Sequence, residues 1–189
     1  MINLEKGSRI NLQKEAPGLK KVYIGLGWDP NTTDTGKDFD LDASVFMLGA
    51  NGKIPNDKYF IFYNNLKSVD GSVEHLGDNL TGGGNGDDET VKIDLDKVSN
   101  DITDIVFVVS IYDAEARKQN FGQVRNSFIR IYDPATNNVI AKYDLEEDFS
   151  SEKSIEFGRL YKKDGEWRFQ AVGQGYNDGL AGFTKKYAD

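Results

Sequence analysis

Two stretches of this chain concentrate acids without neutralising partners. In the first, Asp38, Asp40 and Asp42 alternate with Phe39, Leu41 and Ala43. An extended backbone places alternate residues on one side, so the three carboxylates share a face. Like charges aligned this way destabilise a bare strand. No Lys or Arg occurs between Asp38 and Leu48 to relieve them, whereas a merely solvated strand face usually mixes signs. The second stretch, residues 77–89, reads Gly-Asp-Asn-Leu-Thr-Gly-Gly-Gly-Asn-Gly-Asp-Asp-Glu. Asp78 stands at one end, and Asp87, Asp88 and Glu89 at the other. Glycine lets a backbone take positive φ and approach a ligand closely. Oxygen donors on a flexible loop suit a hard cation. Calcium, which takes about six to eight oxygens in adaptable geometry, fits better than magnesium, which prefers a strict octahedron and keeps its waters.

Neither stretch is a standard calcium motif. Read as an EF-hand from Asp38, the sixth position is Ala43 rather than Gly and the twelfth is Gly49 rather than Glu. Residues 83–88 match one nonapeptide β-helix repeat, but a solenoid needs at least about three. A composite site, with one wall from 38–42 and the other from 77–89, accounts for both. Its candidate carboxylates are Asp38, Asp40, Asp42, Asp78, Asp87, Asp88 and Glu89. Asn64 and Asn79 are candidates for amide oxygens, and Asp29 and Asp113 are weaker ones that also suit turn caps.

Other chemistries have little to work with. There is no cysteine and one histidine, so thiolate zinc sites and Cys nucleophiles are excluded. His75, in Val-Glu-His-Leu, reads as a surface or sheet residue. No nucleophile elbow is present, and no Lys follows the glycine run as it would in a phosphate loop. Catalysis is therefore not expected. The 31 acids outweigh 23 bases, which argues against nucleic acid as a partner. No run approaches the roughly 18 apolar residues of a membrane helix. The first ten residues lack the apolar core of a secretory signal, so a cytoplasmic location is expected.

The elements that must position these acids read as strands. Val22, Ile24, Leu26 and Trp28 lie two apart, as do Val91, Ile93 and Leu95. Residues 105–109 form a near-continuous β-branched run typical of a central strand. Residues 59–63 read as a buried strand, and 72–76, 127–132, 139–145, 154–162 and 167–172 add further candidates. Turn signals stand at Asn51-Gly52, Asp70-Gly71, Asp133-Pro134 and Asp164-Gly165. Residues 114–120 and the C-terminal stretch are the helical candidates. About ten short strands with regular turns predict an all-β sandwich or barrel. With no internal repeat or linker, 1–189 reads as a single domain.

These motifs together resemble the TerD family of tellurium-resistance and bacterial stress proteins. The resemblance rests on Lys14-Glu15-Ala16-Pro17-Gly18-Leu19, Gly25-Leu26-Gly27-Trp28-Asp29, Asp38-Phe39-Asp40-Leu41-Asp42-Ala43-Ser44, Phe62-Tyr63-Asn64, Asp70-Gly71-Ser72-Val73, Gly77-Asp78-Asn79, Gly86-Asp87-Asp88-Glu89 and Ile111-Tyr112-Asp113-Ala114. It implies an antiparallel β-sandwich with few short helices that binds two calcium ions through the two acidic stretches. It also implies a role in tellurite and stress resistance as a calcium-stabilised scaffold, alongside other proteins of that system, one of them membrane-embedded. The loop 81–85 departs from many relatives in lacking an acid. The competing expectation is a calcium-dependent module for a nucleotide or sugar, which a pocket lined by Trp28, Tyr63 or Tyr112 would favour.

Overall fold

A computed structural model describes residues 1–32, 36–77, 86–145 and 149–188. Among these residues, twelve strands form two six-stranded sheets packed face to face. In chain order they are β1 (Ile2–Asn3), β2 (Arg9–Asn11), β3 (Lys21–Gly27), β4 (Leu41–Leu48), β5 (Phe60–Ile61), β6 (Val73–His75), β7 (Glu89–Asp94), β8 (Asp104–Ile111), β9 (Phe128–Asp133), β10 (Asn138–Asp144), β11 (Ser154–Lys163) and β12 (Glu166–Tyr176). Three α-helices join them: α1 (Leu12–Glu15), α2 (Ala114–Arg117) and α3 (Leu180–Ala188). The first sheet runs β1-β10-β9-β3-β7-β6 and the second β2-β12-β11-β8-β4-β5. All pairings are antiparallel except that of β1 with β10. The expected antiparallel sandwich is therefore what the chain builds. Its count exceeds ten because β1 and β2, of two and three residues, are too short to show a period.

Side-chain alternation explains the core. Val22, Ile24 and Leu26 of β3 and Val91 and Ile93 of β7 turn inward and are buried. They meet Ala43, Val45 and Met47 of β4 and Phe107 and Val109 of β8 from the second sheet. The β8 run is apolar on both faces for a reason outside its own sheet. Its outward residues Val106 and Val108 join Phe46 and Leu48 beneath Phe183 and Tyr187 of α3. Phe183 and Tyr187 are four apart and share one helix face; burying each contributes about 1.5–3 kcal/mol. The Tyr187 hydroxyl donates to the buried Glu156 carboxylate, and the Ile54 N–H donates to the Tyr187 carbonyl at 2.9 Å. Burial, and then the Glu156 charge, push the Tyr187 hydroxyl far above its ordinary pKa.

The segment 59–63 departs from the expected buried strand. Residues Asp57–Tyr59 form a 3-10 turn, only Phe60–Ile61 pair with β4, and Tyr63 is 41 % exposed. Its apolar character serves a surface ring stack instead: Phe60 and Phe62 lie 4.3 Å apart, with Phe62 against Tyr63.

Asp70 fixes the turn that leads to β6. It accepts from the Ser68 hydroxyl at 2.6 Å, the Ser72 hydroxyl at 2.7 Å, the Ser72 N–H at 2.9 Å and the Ser99 N–H at 3.0 Å. Burial raises its pKa, but these donors outweigh burial and hold it below the usual carboxylate value. A folded pKa below the unfolded one stabilises above the unfolded value and is lost as pH falls through the folded value. Asp70→Asn is expected to cost about 1–3 kcal/mol at pH 7. That penalty should shrink below about pH 4, where the unfolded carboxyl protonates. Urea midpoints at pH 7 and pH 3 measure this; an equal penalty at both would contradict it.

Candidate metal centre

The two acidic segments meet at one end of the sandwich, where β3, β4 and β7 begin or stop. Trp28, just past β3 and buried, ties them together. Its backbone N–H donates to Asp88 Oδ2 at 2.9 Å, and its indole N–H donates to the Phe39 carbonyl at 3.0 Å. Glu89 makes a second tie across the sheets. Its Oε2 accepts from the Ala43 N–H at 2.6 Å, capping the β4 edge beyond the reach of the short β5. The same oxygen lies 3.3 Å from His75 Nε2. The Gly77 N–H donates to His75 Nδ1 at 3.2 Å, so in the neutral ring Nε2 carries the hydrogen and donates to Glu89. His75 is thus a buried sheet residue, 3 % exposed.

The consecutive acids Asp87, Asp88 and Glu89 diverge rather than acting as one wall. Asp87 crosses the outer face of β3 and accepts from Arg130 Nε at 2.6 Å and Nη2 at 2.8 Å. Both its oxygens are engaged, in a fork geometry that suits guanidinium and carboxylate. Strand entry turns successive side chains to opposite faces, which sends Asp87 to Arg130. Asp88 turns to Trp28. Burial pushes the Asp88 carboxyl up, opposed by the Trp28 N–H and aided by the charges of Asp87 and Asp29. Glu89 enters the interior.

Gly25 makes the Asp87 crossing possible. A Cβ there would stand 2.2 Å from Asp87 Oδ2 and 2.3 Å from its Cγ. Asp87 cannot simply swing away, because Arg130 holds it. Gly25→Ala is expected to break this pair and cost about 2–4 kcal/mol, within the range for breaking a largely buried pair and adding strain. Chemical denaturation checks this. Alanine in Asp87→Ala should then add little further loss if both substitutions act on one pair.

In the other segment, Asp40 and Asp42 are 7 % and 6 % exposed, whereas Asp38 is exposed. Gln119, also buried, reaches across from the end of α2 and donates through Nε2 to the Lys37 carbonyl at 2.8 Å. Arg117 Nη1 lies 3.4 Å from the Asp38 carbonyl. Asn64 is exposed in the turn after β5. Asp29 accepts from Asn126 at 2.6 Å, and Asp113 caps α2 in the left-handed region at φ 53°. Asp78 and Asn79 lie outside the described residues. Sequence reasoning missed Gln119, the two hydrogen bonds of Trp28 and the Glu89–Ala43 tie, all of which depend on contacts between residues apart in the chain.

Asp40 and Asp42 are two buried carboxylates two residues apart, at the start of β4. Among the described residues, no three His, Cys, Asp or Glu side chains gather to hold an ion alone.

A groove of about 580 Å³ opens beside this centre, lined by Asp42, Tyr63, Ser110, Tyr112, Asp113 and Lys153 among others. Tyr63 and Tyr112 stand at 41 % and 48 % exposure. Trp28, by contrast, is buried and is not part of this groove's lining. No helix among the described residues is long and apolar enough to cross a membrane.

An antiparallel sandwich with acidic segments joined at one end matches a known class of proteins. The TerD domain family matches residues 1–187, and the chain belongs to that family. It is 55 % identical over 186 residues to the tellurium resistance protein TerD of Alcaligenes sp, covering 98 % of this chain and 96 % of that one. It is equally 55 % identical, over the same shares, to general stress protein 16U of Bacillus subtilis. Among solved structures, the protein of unknown function SAV2460 is 26 % identical and covers 88 % of this chain and 95 % of its own, with a TM-score of 0.74.

Proposed function

We propose that this chain is a calcium-binding member of the tellurium-resistance and stress family, working as a metal-stabilised scaffold rather than as an enzyme. The observation that carries the reading is the joining of two acidic segments by Trp28 and Glu89, with Asp40 and Asp42 buried between them. Two acidic stretches held at one end of the sandwich concentrate negative charge that a bound cation offsets. In this reading Asp40 and Asp42 are ligands, Asp78 and Asn79 contribute from the glycine loop, and Asp88 supports from behind. Asp38, Asn64 and Glu89 have exposed or already bonded positions and contribute less, and Asp87 serves Arg130. Calcium supplies positive charge that draws the two segments together. The chain's own residues hold those segments in register.

The stress role follows the names of its relatives, and the partners proposed are other proteins of that resistance system, including a membrane-embedded one. A cytoplasmic location is part of the same proposal. The groove flanked by Tyr63 and Tyr112 favours a second reading, a calcium-dependent site for a small ligand such as a nucleotide or sugar. Calorimetric titration of chelator-stripped protein at about 0.15 M salt tests the main reading. Two sites of micromolar or tighter affinity, without a comparable magnesium signal, are expected. Absence of calcium heat would overturn it.

A further inference from the structure

A pocket of about 500 Å³ opens at the end of the first sheet away from the acidic segments. Lys20, Lys21, Lys92, Tyr23, Leu19 and Pro134 line it, among others. The strand register fixes its place. β3 runs from Lys21, level with Asp94 at the end of β7, to Leu26, level with Glu89. Trp28 and Asp88 meet beyond that second end. The pocket stands at the Lys21 end, and Tyr23 lies roughly 17 Å of strand from Trp28.

Alternation sets the face. Val22 and Ile24 of β3 and Val91 and Ile93 of β7 enter the core, so Lys21, Tyr23 and Lys92 point outward. Tyr23 is level with Lys92 on one side and with Tyr132 on the other. Its ring meets the Tyr132 ring edge-on at 5.5 Å. The Lys20 carbonyl accepts from the Leu95 N–H at 2.9 Å, which holds the entry to β3 against the end of β7.

Three ammonium groups thus face one space on a chain of net charge −8. Among the described residues, none of the three is in an ion pair within 4.0 Å. Glu74 and Asp94 stand across the strands from Lys92 and Lys21, yet neither lines the pocket. Asp94 is taken up by Lys97 at 4.0 Å and by the Asp96 N–H at 3.3 Å. Asp133 is the one carboxylate among the described lining residues, and it caps its own turn by accepting from the Ala135 N–H at 2.9 Å. Gathered cations repel one another, and an anion of several charges offsets that repulsion. The Tyr23 ring, Leu19 and Pro134 add a flat apolar wall, against which a planar ring can stack. The volume lies in the range of small-ligand sites.

We propose that this pocket binds a ligand carrying a di- or triphosphate group, with a nucleoside polyphosphate and an inorganic polyphosphate as the two sources to distinguish. Lys20, Lys21 and Lys92 hold the phosphate oxygens as point charges. Tyr23 offers its ring to a base. The site is separate from the groove beside Asp42 and does not rest on the calcium reading.

The test is calorimetric titration of the full chain, dialysed free of unbound divalent cations, at neutral pH and about 0.15 M salt. The probes are adenosine triphosphate, inorganic triphosphate and sulfate. At least one triphosphate is expected to bind about tenfold or more tightly than sulfate, because it carries more charge to the lysines. Lys21→Gln with Lys92→Gln is expected to weaken that binding about tenfold. Lys185→Gln, an exposed change on α3, should leave it unaltered. Tyr23→Ala separates the sources, with inorganic triphosphate as the check that the pocket is intact. A loss of about tenfold for the nucleotide alone assigns the nucleoside source; no loss assigns the phosphate group by itself. The proposal is overturned if neither triphosphate gives heat at millimolar concentration, or if sulfate binds equally well. It is overturned too if the Lys21 and Lys92 substitutions weaken binding no more than Lys185→Gln does.

Discussion

Replacing Glu89 with alanine is expected to lower stability by about 3–5 kcal/mol. Its side chain lies in the interior, with the residue 2 % exposed. Truncation strands the Ala43 N–H, which it accepts at 2.6 Å, and the His75 Nε2–H at 3.3 Å. Two buried donors without acceptors cost about 1–3 kcal/mol each, and the cavity adds to that. In a domain of this size each kcal/mol shifts the melting midpoint by roughly 2–4 °C, so a fall of about 10 °C is expected. Glu89→Gln retains one acceptor oxygen and should lose about half as much. Thermal melts of the three proteins decide it. A fall under about 2 °C for the alanine variant would show that the tie between β4 and β7 carries little of the fold.

The second large effect concerns calcium. A ligand that binds only the native state adds about 2.7 kcal/mol at a hundredfold excess over its dissociation constant. Asp40→Asn with Asp42→Asn should remove that gain, leaving a melting midpoint that no longer rises when calcium is added. Asp87→Asn should behave differently. Its partner is Arg130, at 2.6 and 2.8 Å, so its loss should be nearly equal with calcium and with chelator. Melts of both variants in both conditions separate the two kinds of acid. Equal behaviour of the two variants would mean that sequence neighbours, not the geometry, set the metal response.

The contrast between Asp87 and Asp42 shows where reading the chain stops. Both are acids in acid-rich stretches, and spacing alone gives them the same chemistry. Which face each strand entry presents, and which distant cation stands opposite, depends on packing. Arg130 lies 43 positions from Asp87. Trp28 was legible as a buried strand residue through its period with Val22, Ile24 and Leu26. Its two hydrogen bonds, to residues 60 and 11 positions away, were not. The helical C-terminus was legible as weakly helical, but not that Phe183 and Tyr187 would close the outer face of β8. The β8 run had already signalled that cover, since a sheet face open to water has no use for Val106 and Val108.

The all-β class, the main strands and the family could be read from the chain alone. Period-two alternation and turn residues are local signals, and the glycines and acids of the motifs stand in fixed order along the chain. Which acids share a space is set by packing. Charge on a carboxylate is satisfied by whatever donor or cation lies within about 3 Å. Such neighbours come from strands that are remote in sequence and adjacent in the sheets.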